Sequence, residues 1–99
     1  MIIHNITYCV DRPLVPAFLE WVRTEVVPQA ESEGLEVQAL ARVMSTPDPD
    51  SESYALQLLA QGLADVRRWT RGPGAALAAA AAARWGQRVL PFATNLQVL

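Results

Sequence analysis

The chain contains no lysine, one cysteine and one histidine. A single cysteine excludes an internal disulfide framework, and Cys9 with His4 cannot supply the ligands of a structural zinc site. No Walker loop, no GxGxxG and no CxxC occurs, so the sequence offers neither a phosphate cradle nor a metal-transfer motif. No metal and no cofactor is expected. Long apolar runs are scarce as well. The longest, Ala75 to Ala83, has about half the length that spans a bilayer and is nearly all alanine. The opening MIIHNITYCV has no basic region and no small-residue cleavage pattern, so it does not read as a signal peptide. A cytoplasmic protein without a membrane partner is expected.

Positive charge is also in short supply. The net charge is −2, and the only basic side chains besides His4 are arginines. Residues 1 to 60 carry a balance of −6 and residues 61 to 99 a balance of +4. Two complementary halves point to a fold or a dimer in which they face each other. A nucleic-acid partner would call for a net basic surface.

What is present is a globular composition: 99 residues, 52% hydrophobic and 18% charged, which is room for one domain over residues 1–99. Residues 2 to 10 are rich in β-branched and aromatic types and alternate as a strand, with Ile2, Ile6, Tyr8 and Val10 on one face and Ile3, Asn5, Thr7 and Cys9 on the other. Asp11 is placed to cap a helix with Pro13 in its first turn. Leu14, Phe18, Trp21, Val22 and Val26 recur at helical spacing, and Pro28 sets the expected end near Glu25. Leu35 to Met44 alternates as a second strand, with Leu35, Val37, Ala39, Ala41 and Val43 on one side. Pro47, Asp48, Pro49 and Asp50 give the loop Ser45–Ser51 strong turn chemistry, and Ser53 to Ala60 returns as a third strand. Leu63 to Trp85 reads as helix, broken at Gly72-Pro73-Gly74. Six consecutive alanines, Ala78 to Ala83, favour helix but bury little area each, so this piece is either very closely packed or mostly solvent-facing. Arg88 to Leu99 alternates as a fourth strand, with Leu90, Phe92, Leu96 and Val98 on one face.

The order β-α-β-β-α-β is the ferredoxin-like arrangement of the α+β class, a four-stranded antiparallel sheet with two helices on one face. Two helices cover only one face, yet the strands carry apolar residues on both, so a homodimer through the open sheet face is expected.

Candidate chemistry is sparse. His4 and Cys9 lie five residues apart on one strand, hence on opposite faces, and cannot pair within a subunit. His4 reads first as a packed, hydrogen-bonded core histidine, and Cys9 as a buried, inert thiol. Glu25 falls inside the helical arc of Phe18, Trp21 and Val22, where desolvation would raise its pKa toward that of a general base; the competing reading is a frayed last turn with the side chain in water. Asn5, Thr7 and Gln57 are neutral polar groups in apolar strands, able to orient a ligand or to satisfy their neighbours. A ligand cleft between helices and sheet, lined by Asn5, Trp21, Gln57 and Glu25, is the resulting expectation. The third strand, SYALQLLA, lacks the aromatics by which an RNA-recognition domain stacks bases, which again argues against nucleic acid.

The combination of MIIHNIT, FLEW with Trp21 and then Pro28, Tyr54 with Gln57, Leu63 with Asp65, and RWG at 84 to 86 followed by Phe92, Thr94, Leu96 and Val98 resembles the bacterial domain-of-unknown-function family 4286 nearly end to end. The resemblance implies a ferredoxin-like subunit of the dimeric α+β barrel superfamily and carries no assigned activity. The sequence departs from the family pattern at three places. Val26 stands where many relatives carry a histidine, Ala93 where they commonly carry an arginine, and His4 where a tyrosine is usual. Three functions are consistent with these residues: a homodimer binding a small apolar or aromatic metabolite, a cofactor-independent monooxygenase or isomerase of the dimeric α+β barrel type, and a regulatory or structural subunit of a larger partner. The missing histidine and arginine favour binding over catalysis.

Overall fold

A computed structural model describes residues 1–44 and 48–99. The chain runs β1 (Ile2–Asp11), α1 (Val15–Trp21), α2 (Val27–Ser32), β2 (Glu36–Arg42), β3 (Ser51–Ala60), α3 (Leu63–Arg71), α4 (Pro73–Trp85) and β4 (Val89–Gln97). The four strands form one antiparallel sheet in the order β2-β3-β1-β4, which is the expected ferredoxin-like topology. In register, Tyr8 faces Tyr54 and Pro91, Ile6 faces Leu56 and Ala93, and His4 faces Leu58 and Asn95. These rows lie beneath the helices. The intervening rows, among them Asn5 with Gln57 and Thr94, point away from the helices because side chains alternate along a strand.

Several local expectations are corrected. Asp11 does not cap the first helix: it closes β1, makes no capping bond, and its carboxylate accepts a hydrogen bond from Arg88 Nε at 2.9 Å. The first helix does not stop near Glu25. Pro28 has no N–H for the Thr24 carbonyl and its ring crowds that oxygen, so an α turn cannot simply continue. The chain widens instead over Val22–Val26, where Val27 N–H donates five residues back to Val22 O, and Pro28 falls in the first turn of α2, where its missing N–H costs nothing. The wide turn keeps Val22, Val26 and Ala30 buried on one side.

In β2 a bulge between Val37 and Ala39 breaks the alternation expected for Leu35 to Val43. Val37 and Leu40 pair with Leu58 and Leu56 on the helix side, while Ala39 and Ala41 turn to the other face. In the β2–β3 loop, Asp48 accepts from the Asp50 amide at 2.8 Å, and the Arg12 guanidinium holds Pro49 O and Glu52. The turn expected around Pro47 lies outside the described residues.

The expected break after α3 is present: Gly72 departs from helical geometry at φ −122° and ψ −111°, separating α3 from α4. The two pieces meet so closely that a Cβ on Gly74 would stand 2.7 Å from Trp69 Nε1 and 2.8 Å from Trp69 O. Under α1 and α2 the core is aromatic. Phe18 is fully buried, with ring centroids of Tyr8, Tyr54, Trp21 and Trp85 at 5.0, 5.9, 6.2 and 6.4 Å. No helix is long and apolar enough among the described residues to cross a membrane.

Candidate functional site

The helical layer is uneven. Trp85 fixes the C-terminal end of α4 edge-on against Trp21, with centroids 5.5 Å apart, and Trp69 is buried just before its N-terminal end. Between these anchors α4 presents mostly alanines to the sheet. A methyl group reaches too short a distance to fill the space a leucine or phenylalanine would occupy, and β4 answers with the small residues Pro91 and Ala93. The result is a cavity of about 290 Å³ between α3–α4 and the β1–β4 half of the sheet.

The cavity wall comes from Trp69, Gly74, Leu77, Ala78 and Ala81 above, and from Val26, Val89 and Ala93 at the side, with His4, Ile6 and Tyr8 of β1 as its floor. No lining residue carries a formal charge other than through His4 or Tyr8. Burial pushes the Tyr8 phenol up to about 12, so it stays an uncharged hydrogen-bonding group at neutral pH. His4 is 4% exposed, and its Nδ1 lies 2.7 Å from Asn95 Oδ1. Among the described residues no side-chain nitrogen or oxygen is both sealed off and without a partner, so Tyr8 Oη and His4 Nε2 each retain access to open space. Both residues line the cavity. Such a site can hold a neutral, apolar molecule and orient it through a few hydrogen bonds.

The residues expected to form one cleft are divided by the sheet. Asn5 and Gln57 are brought together, as register partners, but on the face away from the helices, and Asn5 Nδ2 donates to Thr7 Oγ1 at 3.1 Å. Trp21 is buried on the helix side, 6.5 Å from the Tyr8 ring. Asn5, Gln57 and Trp21 therefore cannot line a common cleft. Glu25 is exposed: the wide turn before Pro28 carries it out of the arc that a regular helix would give, so no desolvated carboxylate exists there. Cys9 is half-buried on the open face, not in the core. His4 is the packed, hydrogen-bonded residue expected of it, and it is also part of the cavity floor.

Sequence reasoning missed Tyr8, Trp69 and α4 as the cavity's makers. The signal was the alanine run itself, a helix lacking the bulk to seal a sheet between two tryptophans. Val26 and Ala93 both line the cavity.

The family described as Domain of unknown function (DUF4286) matches residues 1–99, and the chain belongs to it. Among solved structures, an uncharacterized NIPSNAP domain protein from Burkholderia xenovorans superposes with a TM-score of 0.67 at 15% identity, over 100% of this chain and 95% of its own. Protein Atu4242 from Agrobacterium tumefaciens gives a TM-score of 0.64 at 16% identity, over 100% and 94%. A Bacillus cereus protein provisionally called an antibiotic biosynthesis monooxygenase gives 0.57 at 13%, over 98% and 91%. At these identities the likeness is one of fold alone. No curated protein matches the chain by sequence.

Proposed function

We propose that this DUF4286 protein is a cytoplasmic homodimer that binds a small, uncharged apolar or aromatic metabolite in the cavity beneath α4. The observation that carries this reading is the pairing of an apolar wall with two uncapped polar groups, Tyr8 Oη and His4 Nε2, in a space of about 290 Å³. The space is open to solvent, with Ala75, Ala78, Pro91 and Ala93 of its lining exposed, so a ligand can enter it. The dimer is supported by the other face of the sheet, where Phe92 is 63% exposed and Leu90 and Leu96 are 42% and 45% exposed. Such an apolar surface favours pairing with a second copy.

A thermal-shift series with naphthalene-sized aromatics tests the binding, since a ligand at a hundred times its Kd adds about 2.7 kcal/mol to stability. A rise in Tm is expected, and no shift at any soluble concentration contradicts the reading. Light scattering after size exclusion should give twice the chain mass; a stable monomer at micromolar concentration removes the dimer.

A second reading, a cofactor-independent monooxygenase or isomerase, is favoured by one observation: the only imidazole of the chain lies on the cavity floor. The Bacillus cereus neighbour's provisional name points the same way. This reading requires a chemical change in a bound ligand. Recovery of every bound aromatic unaltered after incubation in air sinks it.

A further inference from the structure

We propose that Asn95 holds His4 in the form whose Nε2 accepts a hydrogen bond from the ligand, so that the cavity selects apolar molecules bearing an acidic hydroxyl, a phenol or an enol, over otherwise identical molecules without one. This rests on the reading of the cavity as a binding site and names the chemical class it takes.

The argument starts from hydrogen-bond roles. Asn95 Oδ1 is a carbonyl oxygen and can only accept, so at 2.7 Å His4 Nδ1 must be the nitrogen that carries hydrogen. A neutral imidazole has one N–H. Nε2 is therefore left with a lone pair that is not sealed off, on a residue that lines the cavity. The arrangement is fixed by the sheet, because His4 on β1 and Asn95 on β4 are direct register partners and their side chains share the helix-side face.

A lone pair on the floor of an apolar cavity selects by what it lacks. A carboxylate would meet another acceptor and find no cation among the lining residues. An ammonium group would donate to Nε2 but would bury its charge with no counter-ion, which is costly. An ether or a bare ring leaves the lone pair without a donor. A phenolic or enolic O–H supplies a strong donor with no net charge, and donates it to Nε2. Tyr8 lies four residues along the same strand face, about 13 Å away at Cα. It is out of reach of the same ligand atom and meets a different part of the molecule.

The test uses three probes of one shape, naphthalene, 2-methoxynaphthalene and 2-naphthol, titrated calorimetrically into the full-length protein. The proposal expects 2-naphthol to bind about tenfold more tightly than its methyl ether. Asn95→Ala should lower that preference, and Asn95→Asp, which keeps an acceptor on Nδ1–H, should restore it. Nitrogen-15 spectra of the unaltered protein give a readout independent of any variant: His4 should be in the Nδ1–H form, and in Asn95→Ala it should lose that form. Equal affinity for naphthol and ether, or an Nε2–H tautomer in the unaltered protein, overturns the proposal while leaving the cavity's role in place. If none of the three probes binds, the cavity reading itself fails and takes the proposal with it.

Discussion

The two halves of the helical layer cover the same sheet by opposite means. Over β1 and β3, α1 and the wide turn that follows it bring Phe18, Trp21 and Val22, and Phe18 and Val22 are fully buried. Over β1 and β4, α4 brings alanines, and of the run Ala78 to Ala83 only Ala81 is buried. The first half is a packed core, and its aromatic pairs contribute about 0.5–1.5 kcal/mol each beyond area burial. The second is a span held at its ends by Trp69 and Trp85 with space beneath it. Stability is thus concentrated on one side of the molecule, and the room for a ligand is on the other.

The comparison breaks if equivalent truncations cost the same on both sides. Phe18→Ala should lose about 4 kcal/mol in urea unfolding, whereas Leu77→Ala, at a half-buried position beside an existing cavity, should lose under about 1.5 kcal/mol. Equal losses would mean that α4 is packed as tightly as α1. Tyr8 joins the two halves, since its ring packs on Phe18 and it also borders the cavity. Because burial raises its pKa to about 12, its contribution is complete below pH 10 and lost as pH rises toward 12. That loss amounts to about 3 kcal/mol. Tyr8→Phe should flatten the alkaline limb of the stability profile, and an unchanged limb would show that the phenol is not desolvated.

A smaller effect belongs to the hinge between α3 and α4. The Cβ in Gly74→Ala would stand 2.7 Å from Trp69 Nε1, so the variant must shift the Trp69 anchor at a cost of about 2 kcal/mol. Trp69 emission should move with it. The smallest change has the opposite sign: Ala78→Leu should fill part of the cavity, raise stability by about 1 kcal/mol and weaken aromatic binding. Loss of stability in that variant would mean there is no space to fill.

Much of this was legible in the residues. Strand alternation, the Gly72-Pro73-Gly74 break and the family resemblance lead to the observed topology because each depends on local pattern. The site was less legible. Asn5 and Gln57 are register partners, but a single strand does not reveal which of its faces the helices will take, and that choice separates them from Trp21. A regular 100° step places Glu25 inside the apolar arc, whereas the turn that Pro28 forces open leaves it exposed. The bulge at Val37–Ala39 has the same character, one extra residue that reverses every later position. The cavity escaped detection because it arises from what alanine does not fill, a property of two facing elements that no one segment displays.

The central claim is that the alanine helix spans a ligand cavity. Alanine-methyl NMR tests it most directly, since this chain carries alanines on both sides of the comparison. With alanine methyls labelled and 2-naphthol added, the methyls of Ala75, Ala78, Ala82 and Ala93, which line the cavity, should shift. Those of Ala30, buried in the other half, and of Ala39 and Ala41, on the open face, should stay in place. Shifts confined to the open-face methyls, or spread evenly over all of them, would contradict the account.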